Sequence, residues 1–552
     1  MRSRSFGFPA LTQGSSTTCS SFSSTRQDDI HDTADGAQVS KYAKRTPDGN
    51  PDQSMFTTDQ QAVGIQVGTA IATLVKNESR RTGAFAKCHY RELWGTANRK
   101  RELLVQSLTQ AISKTYRVVE PVAAQRFAFA EPSAEPNYLK WPSLDAVFSD
   151  FVSGIVSRRD EFVVDIDRGA LVERIKRYLD KSVSDADIAA EFPRVMEDGS
   201  GFDAVPARRE LLARGYDESR ILPIYFRPLD VRWIYYEPAA GLVSAPSPRF
   251  RKYLPAMTLA LEMRQKLPTL QWDRGFVAST LADSFGNGCS VYFTDTILTE
   301  SLSGDVPEPN ISIDLLSRLA DSYGFKEHSP KSGALTREAE SVARSVFLHT
   351  LAILWSPTYR KANEAALRQD WPRVPIPADP KRLEGSAVLG RQLADLLLPD
   401  KAVTGVTTGK LRPELKSLAV PYKIGGKPID PDKDLEVTAT WGFRGQGNAV
   451  MSGKGKVTPN DIDPANAVDI WINDAVGWRN VPKAVYEMTI GGYPVVKKWL
   501  SYREKRVLGR ALKMEEMIYV TEMVRRLAAV LALSSELDAN YAACAKDAIT
   551  LK

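Results

Sequence analysis

The chain's most concentrated chemistry lies between Gly491 and Lys513. Lys497, Lys498, Arg503, Lys505, Arg506, Arg510 and Lys513 stand there against a single acid, Glu504. Seven bases less one acid gives +6, the net charge of the whole 552-residue chain. Cations at this density suit the phosphates of a polyanion, which fix position without carrying sequence information. Gly491-Gly492 permits a tight turn after a β-like stretch, and Pro494 suits the first turn of a helix. The spacing therefore predicts one basic helix, with Lys497, Lys498, Arg503, Lys505, Arg506 and Arg510 as phosphate contacts and Val495, Val496, Trp499 and Leu500 docking it. A plain solvated face would show the same pattern.

Other constellations are weaker. Phe443-Arg-Gly-Gln-Gly447 has the shape of a cofactor glycine loop but lies among turn-forming residues with no helix opening behind it, so a β-turn is expected. Gly405-Val-Thr-Thr-Gly-Lys-Leu411 imitates a phosphate loop with three intervening residues where four are needed, and with Leu in place of Ser or Thr. Four cysteines (Cys19, Cys88, Cys289, Cys544) and four histidines (His31, His89, His328, His349) show no paired ligand spacing, so no metal is expected. Sparse cysteines suit a reducing cytoplasm.

These residues must be carried by elements the pattern also outlines. Residues 1–45 are rich in Ser and Thr with no acid before Asp28, and read as a disordered tail. Gly64 to Val75 is a nearly continuous apolar run, the mark of a strand buried on both faces. Asn98 to Ser113 follows as an amphipathic helix through Leu103, Leu104, Leu108 and Ile112. Phe162 to Ile166 reads as a strand and Leu171, Ile175 and Tyr178 as one helix face. Ser341 to Trp355 is helical and ends at Ser356-Pro357. Residues 401–470 read as short strands and turns, including Leu435 to Trp441. Met514, Met517, Ile518, Thr521, Val524, Leu527, Ala528 and Leu531 recur at helical spacing and mark core packing. No apolar run is long enough to span a bilayer.

Several segments together resemble the C-terminal specificity region of type ISP restriction–modification enzymes, the single-polypeptide type I class. They include Trp471-Ile-Asn-Asp474, Trp478-Arg-Asn-Val-Pro482, Tyr486, Ile490-Gly-Gly-Tyr493, Lys497-Lys-Trp-Leu500 and Tyr502-Arg-Glu-Lys505. Upstream, Tyr225-Phe-Arg-Pro-Leu-Asp-Val-Arg-Trp-Ile-Tyr-Tyr236, Ser356-Pro-Thr-Tyr-Arg360, Trp371-Pro-Arg-Val-Pro375 and Ser153-Gly-Ile-Val-Ser-Arg-Arg-Asp160 are similar matches. Pro47-Asp-Gly-Asn-Pro-Asp52, leading into Val63-Gly-Ile-Gln-Val-Gly68, resembles the strand after the family's catalytic tetrapeptide, and Trp94-Gly95 fits the next strand's end.

The resemblance implies a mixed α/β and α+β fold. A partial methyltransferase-like sheet (46–250) would lead through a helical connecting part (251–400) to a target-recognition domain with C-terminal helices (401–552). It implies double-stranded DNA as partner, in bacterial defence within the cytoplasm. Base readout would fall to Arg412, Lys416, Arg444, Gln446, Asn448 and Lys454, since Arg and Lys read guanine and Asn and Gln read adenine. Arg227, Asp230, Arg232, Trp233, Gly491, Gly492, Tyr493 and Trp499 would be structural, and at Arg227–Trp233 a buried Arg–Asp pair anchoring the two domains stands at least level with contact with DNA. The family methylates adenine N6, yet the chain has no Pro-Pro dipeptide and so lacks the tetrapeptide that holds a flipped base. S-adenosylmethionine is then expected only with a separately encoded catalytic subunit. A split enzyme and a non-functional gene remnant stay open beside a stand-alone recognition module.

Overall fold

The computed structural model describes residues 88–119, 134–199, 201–263, 272–284, 290–301, 304–330, 334–368, 370–445 and 448–549, with short stretches at 17–19, 44–45, 51–55 and 72–74. Cα packing divides the chain into two units, 1–131 and 132–552. The boundaries expected at 250 and 400 both fall inside the second. Gln446 and most of the Gly64–Val75 run lie outside the described residues.

In the first unit, β1 (Thr17–Cys19) pairs antiparallel with β2 (Ala72–Leu74), so the stretch expected as a tail contributes a strand. β3 (Cys88–Tyr90) is followed by α1 (Ala97–Ser107) and α2 (Ile112–Thr115), and pairs antiparallel with β4 (Arg117–Val119). Thr96 caps α1 by accepting from the Arg99 amide, as N-cap residues do. Two of the family-like segments meet here: Asp52 accepts from the Gly95 amide at 2.7 Å and pairs with Lys100 at 2.8 Å. The expected amphipathic helix is thus broken into two, and its apolar residues are not a core face: Leu108 is 84% exposed.

In the second unit, after helical turns at Tyr138–Lys140 and Leu144–Val147, come β5 (Val152–Ser153), α3 (Asp160–Val163), β6 (Val164–Asp165) and α4 (Arg168–Tyr178). Phe162 and Val163 therefore close a helical turn where a strand was expected, and only Val164–Asp165 is extended. α4 turns Leu171, Ile175 and Tyr178 inward as its spacing required. Strands β7 (Ile221–Arg227) and β8 (Asp230–Tyr235) form a hairpin. Next come β9 (Ala260–Met263), β10 (Val277–Ala278), β11 (Leu281–Ala282) and β12 (Val291–Thr294). Two four-stranded sheets result, ordered β11-β7-β8-β6 and β10-β9-β12-β5. β11 runs parallel to β7, and the other pairings in both sheets are antiparallel.

The helical layer is built on α5 (Arg337–Trp355) and α6 (Pro380–Leu397). Ser356 ends α5 and caps the next helix by accepting from the Tyr359 amide, so Ser356-Pro357 acts as both stop and start. His349, buried in α5, is held by Ser386 Oγ at 2.8 Å and the Pro375 carbonyl at 3.0 Å, a satisfied core histidine. After α7 (Pro413–Lys416), a third sheet is ordered β13-β18-β17-β16. Its strands are β13 (Val420–Lys423), β16 (Lys456–Pro459), β17 (Ala467–Trp471) and β18 (Val476–Pro482). A separate hairpin, β14 (Gly442–Arg444) and β15 (Val450–Ser452), lies between them in sequence. The chain ends in α8 (Val495–Ser501), α9 (Lys505–Leu508), α10 (Met514–Ala532) and α11 (Ser534–Lys546). Among the described residues, no helix is long and apolar enough to cross a membrane.

Helices α5 and α6 approach so closely that a Cβ on Gly390 would lie 1.9 Å from the Leu348 carbonyl oxygen. Gly390→Ala should force them apart and cost about 1–3 kcal/mol, the usual penalty of overpacking. A urea midpoint no lower than wild type would show that this contact yields freely.

Candidate nucleic-acid interface

The site is assembled around one buried carboxylate. Asp230, 1% exposed, opens β8 directly after the turn of the β7–β8 hairpin. Its Oδ2 accepts from Arg232 Nη2 at 2.7 Å and Nε at 3.1 Å, and its Oδ1 accepts from Arg503 Nη2 at 2.8 Å. Arg503 is 273 residues away in sequence, in the bend between α8 and α9. Burial pushes the Asp230 carboxyl up, but Arg232 and Arg503 outweigh it and hold it at about 2. Aromatic faces complete the joint: Arg232 sits 4.0 Å from the ring centres of both Phe226 and Tyr502, and Arg503 lies 3.9 Å above Trp499. Tyr519 of α10 donates to the carbonyl of Leu229, which takes a positive φ of 56° in the hairpin turn. Arg227 pairs with Asp283 at 2.8 Å and lies 5.3 Å from the Tyr493 ring centre.

The turn before α8 is fastened to the same body. Gly491 N–H donates to the Asp273 carbonyl at 3.0 Å, and Gly492 N–H to the Asp273 carboxylate at 2.9 and 3.0 Å. Both glycines have positive φ, 63° and 81°, so the sequence signal for a tight turn rested on a real backbone requirement. Trp499 is buried and packs against Tyr519, while Trp233 is half-buried against the core. Of the residues assigned to structure, Asp230, Arg232 and Trp499 form the joint, Arg227 and Tyr493 lie beside it, and Trp233, Gly491 and Gly492 belong to the adjoining strand and turn.

The basic segment differs from the expected single helix. It is two short helices, α8 and α9, separated by a bend at Tyr502–Glu504 and closed by Gly509 at φ 82°. Arg503 is corrected outright as a phosphate contact: at 4% exposure, its guanidinium is spent on Asp230. Glu504 is also buried, accepting from the amides of Trp441 at 2.8 Å and Thr440 at 3.3 Å. This holds Leu435–Trp441 alongside the basic segment, with Lys505 N–H donating to Val437 and Leu512 N–H to Leu435. That stretch belongs to no strand, contrary to its β-forming composition.

Of the remaining cations, Lys498 and Arg506 reach the β14–β15 hairpin, while Lys513 pairs with Asp167. Gly442 meets α8 so closely that a Cβ there would lie 1.9 Å from the Ser501 carbonyl oxygen. Lys498 Nζ donates to the Val450 carbonyl at 2.9 Å and lies 4.8 Å from the Tyr502 ring centre. Arg506 Nε donates to Gly442 at 2.8 Å, and Arg444 Nη2 to Val507 at 3.3 Å. Lys505 pairs with Glu436, and Arg510 is forked onto Glu516 at 2.6 and 3.1 Å. Lys454 is exposed and Lys497 half-buried, and neither forms a hydrogen bond or ion pair among the described residues. Arg412 and Lys416 are exposed at the two ends of α7, which packs on α10, so they sit on a different element from Arg444, Asn448 and Lys454. Because β14 pairs directly with β15, Phe443–Gly445 enters a hairpin and not a strand-to-helix turn, and it does not fit a cofactor cradle.

Two residues at the hairpin went unnoticed in the sequence. Glu161 of α3 accepts from the Asn448 side-chain amide and lies 4.0 Å from Arg444, and Arg194 approaches the same carboxylate at 3.4 Å. A separation of 287 residues leaves no local signal for such a contact.

The family model of the Type ISP C-terminal specificity domain matches residues 146–526. The chain belongs to that family. Both ends of the Asp230–Arg503 joint, the hairpin and the basic segment lie within the matched specificity domain. Among solved structures, the ATP-dependent Type ISP restriction-modification enzyme LlaBIII bound to DNA is similar at TM-score 0.53 and 15% identity, over 89% of this chain and 30% of that one. A nuclease-deletion mutant of the Type ISP enzyme LlaGI with a DNA substrate mimic gives TM-score 0.47 and 15% identity, over 89% and 43%. The DrdV–DNA complex gives 0.49 and 16%, over 82% and 43%. The chain therefore spans less than half the length of these enzymes, and at such identities the LlaBIII likeness speaks for the fold of the specificity domain. Among curated proteins, none matches.

Replacing Asp230 by Asn leaves two buried guanidinium groups without a counter-charge and should cost about 3–5 kcal/mol. Because the folded carboxyl is held low, its stabilisation is complete above about pH 4, the unfolded carboxylate's range, and fades as pH falls through about 2. Urea unfolding of wild type and Asp230→Asn should differ most at pH 5–7 and converge toward pH 2. A gap that does not depend on pH would contradict a charge-based joint.

Proposed function

We propose that this specificity domain recognises duplex DNA for a restriction–modification adenine-N6 methyltransferase. The observation that carries the reading is the convergence of Lys498, Arg506 and Arg444 on one hairpin inside the matched specificity domain. Lys497, Lys498, Lys505 and Arg506 would meet phosphates, with Arg510 at the margin. The Lys505–Glu436 pair is half-exposed and so worth only about 0–1 kcal/mol, little enough for a phosphate to displace it. Base contacts would come from Arg444, Asn448 and Lys454, with Arg412 and Lys416 reaching DNA as a second patch if the duplex extends past α7. Phosphate contacts set register, and side chains at base edges in the groove set sequence.

A second reading, a split enzyme whose catalytic subunit is encoded separately, is favoured by one feature of the first unit. Val105, Leu108, Ile112 and Val118 are 65%, 84%, 60% and 52% exposed, apolar side chains that another polypeptide could cover. S-adenosylmethionine and the base-flipping tetrapeptide would then reside in that subunit. Co-expression should yield a stable complex, whereas a chain that stays monodisperse and binds none of that subunit would remove this reading.

Selection from a randomised duplex pool across a salt series tests the leading proposal. One enriched motif should emerge, with affinity falling steeply as salt rises. A Lys497→Ala/Lys505→Ala variant should lower the log–log salt slope by about 2, roughly one per lost phosphate contact, without changing the motif. No enrichment at any salt, or an unaltered slope, would overturn it.

A further inference from the structure

Arg444 ends β14 and Asn448 precedes β15, and between them Gly445 N–H donates to Ala449 at 2.8 Å and Asn448 N–H to Gly445 at 3.1 Å. Asn448 holds a positive φ of 62°, which short polar side chains tolerate but do not enforce. Arg444 Nη1 also donates to the Asn448 carbonyl at 3.5 Å, a restraint from within the hairpin. The carboxylate of Glu161 adds a restraint from outside the hairpin by accepting from Asn448 Nδ2. Arg194, 3.4 Å away, and Arg444, 4.0 Å away, flank the same carboxylate, so one acid sits among three groups able to engage nucleic acid. Glu161 is only partly exposed, at 28%, and a carboxylate with two oxygens can hold these neighbours at once.

We propose that Glu161 is a positioning residue for sequence discrimination, an inference that rests on the DNA-recognition reading above. It acts in two ways. By tethering Asn448 it holds that side chain before DNA arrives, so that less ordering is needed when the cognate duplex binds. By placing a negative charge beside Arg444 and Arg194 it opposes indiscriminate attraction of these arginines to any phosphate, a cost that correct base contacts must overcome. Both effects widen the gap between cognate and random duplex, though Glu161 need not touch a base.

The test uses the full chain with Glu161→Ala and Glu161→Gln, the latter keeping an acceptor for Asn448 without the charge. Amide hydrogen exchange at Gly445 and Asn448 should accelerate about tenfold in Glu161→Ala, while amides of the third sheet stay unchanged. The ratio of random-duplex to selected-duplex Kd should fall about tenfold, within the range of one base contact. Glu161→Gln should keep slow exchange at the tip yet bind random duplex more tightly than wild type. It also serves as the folded comparison should Glu161→Ala lose its cooperative unfolding. Unchanged exchange at the tip would overturn the tether, and an unchanged or larger Kd ratio would overturn the role in discrimination. If the wild type selects no sequence, the DNA-recognition reading fails and the discrimination role with it, while the exchange result still judges the tether alone.

Discussion

A carboxylate buried between two arginines is the constraint on which this specificity domain turns. Asp230 cannot be left alone in an apolar interior, because an isolated buried charge is prohibitively costly. Arg232 comes from its own strand, and Arg503 comes from a bend far along the chain. That bend fixes where α8 ends and α9 begins, and therefore which lysines and arginines face outward. Had Arg503 continued a single helix, it would have been one more surface cation. Drawn inward, it turns a basic run into a joint with short helices on either side. Phe226, Tyr502 and Trp499 surround the guanidinium groups and give the joint a fixed geometry. An ion pair of this kind contributes less net stability than its Coulomb energy suggests, and its value lies in specifying one arrangement.

The hairpin depends on the joint through backbone contact more than through charge. Glu504, next to Arg503, holds the amides of Thr440 and Trp441, and Gly442 lies against the Ser501 carbonyl. The cations that would approach DNA are then occupied mostly by main-chain carbonyls or exposed acids. Such contacts are weak enough to exchange for phosphate, yet they hold long side chains in place beforehand. The net +6 of the segment overstates what is available, since Arg503 is buried and Arg510 is forked onto a neighbouring acid.

Much of this was legible in the sequence where one element decides its own form. The helical spacing of Leu171, Ile175 and Tyr178, the long stripe beginning at Met514 and the Ser356-Pro357 stop all describe local geometry, and the chain follows them, except that Ile518 of the stripe faces outward at 49% exposure. A buried Arg–Asp pair was one of two readings of Arg227–Trp233, beside contact with DNA, and Asp230 with Arg232 forms one inside the second unit, where an anchor between two domains was expected. What stayed hidden was every decision made by a distant partner. Arg503 is indistinguishable from its neighbours until Asp230 is placed beside it. Leu435–Trp441 has strand-forming residues, but its backbone is tied to the basic segment and enters no ladder. Glu161 and Arg194 reach the hairpin only through the fold.

The central claim is that the hairpin and the two short helices, held by the Asp230 joint, form the face that meets DNA. Lysine modification read by mass spectrometry, with and without a selected duplex, tests it most directly. Lys454, Lys497 and Lys505 should be protected by DNA, while Lys381 on α6 should react equally in both states. Protection of Lys381 with no change at Lys454, Lys497 and Lys505 would contradict the account and place the DNA on another face of the domain.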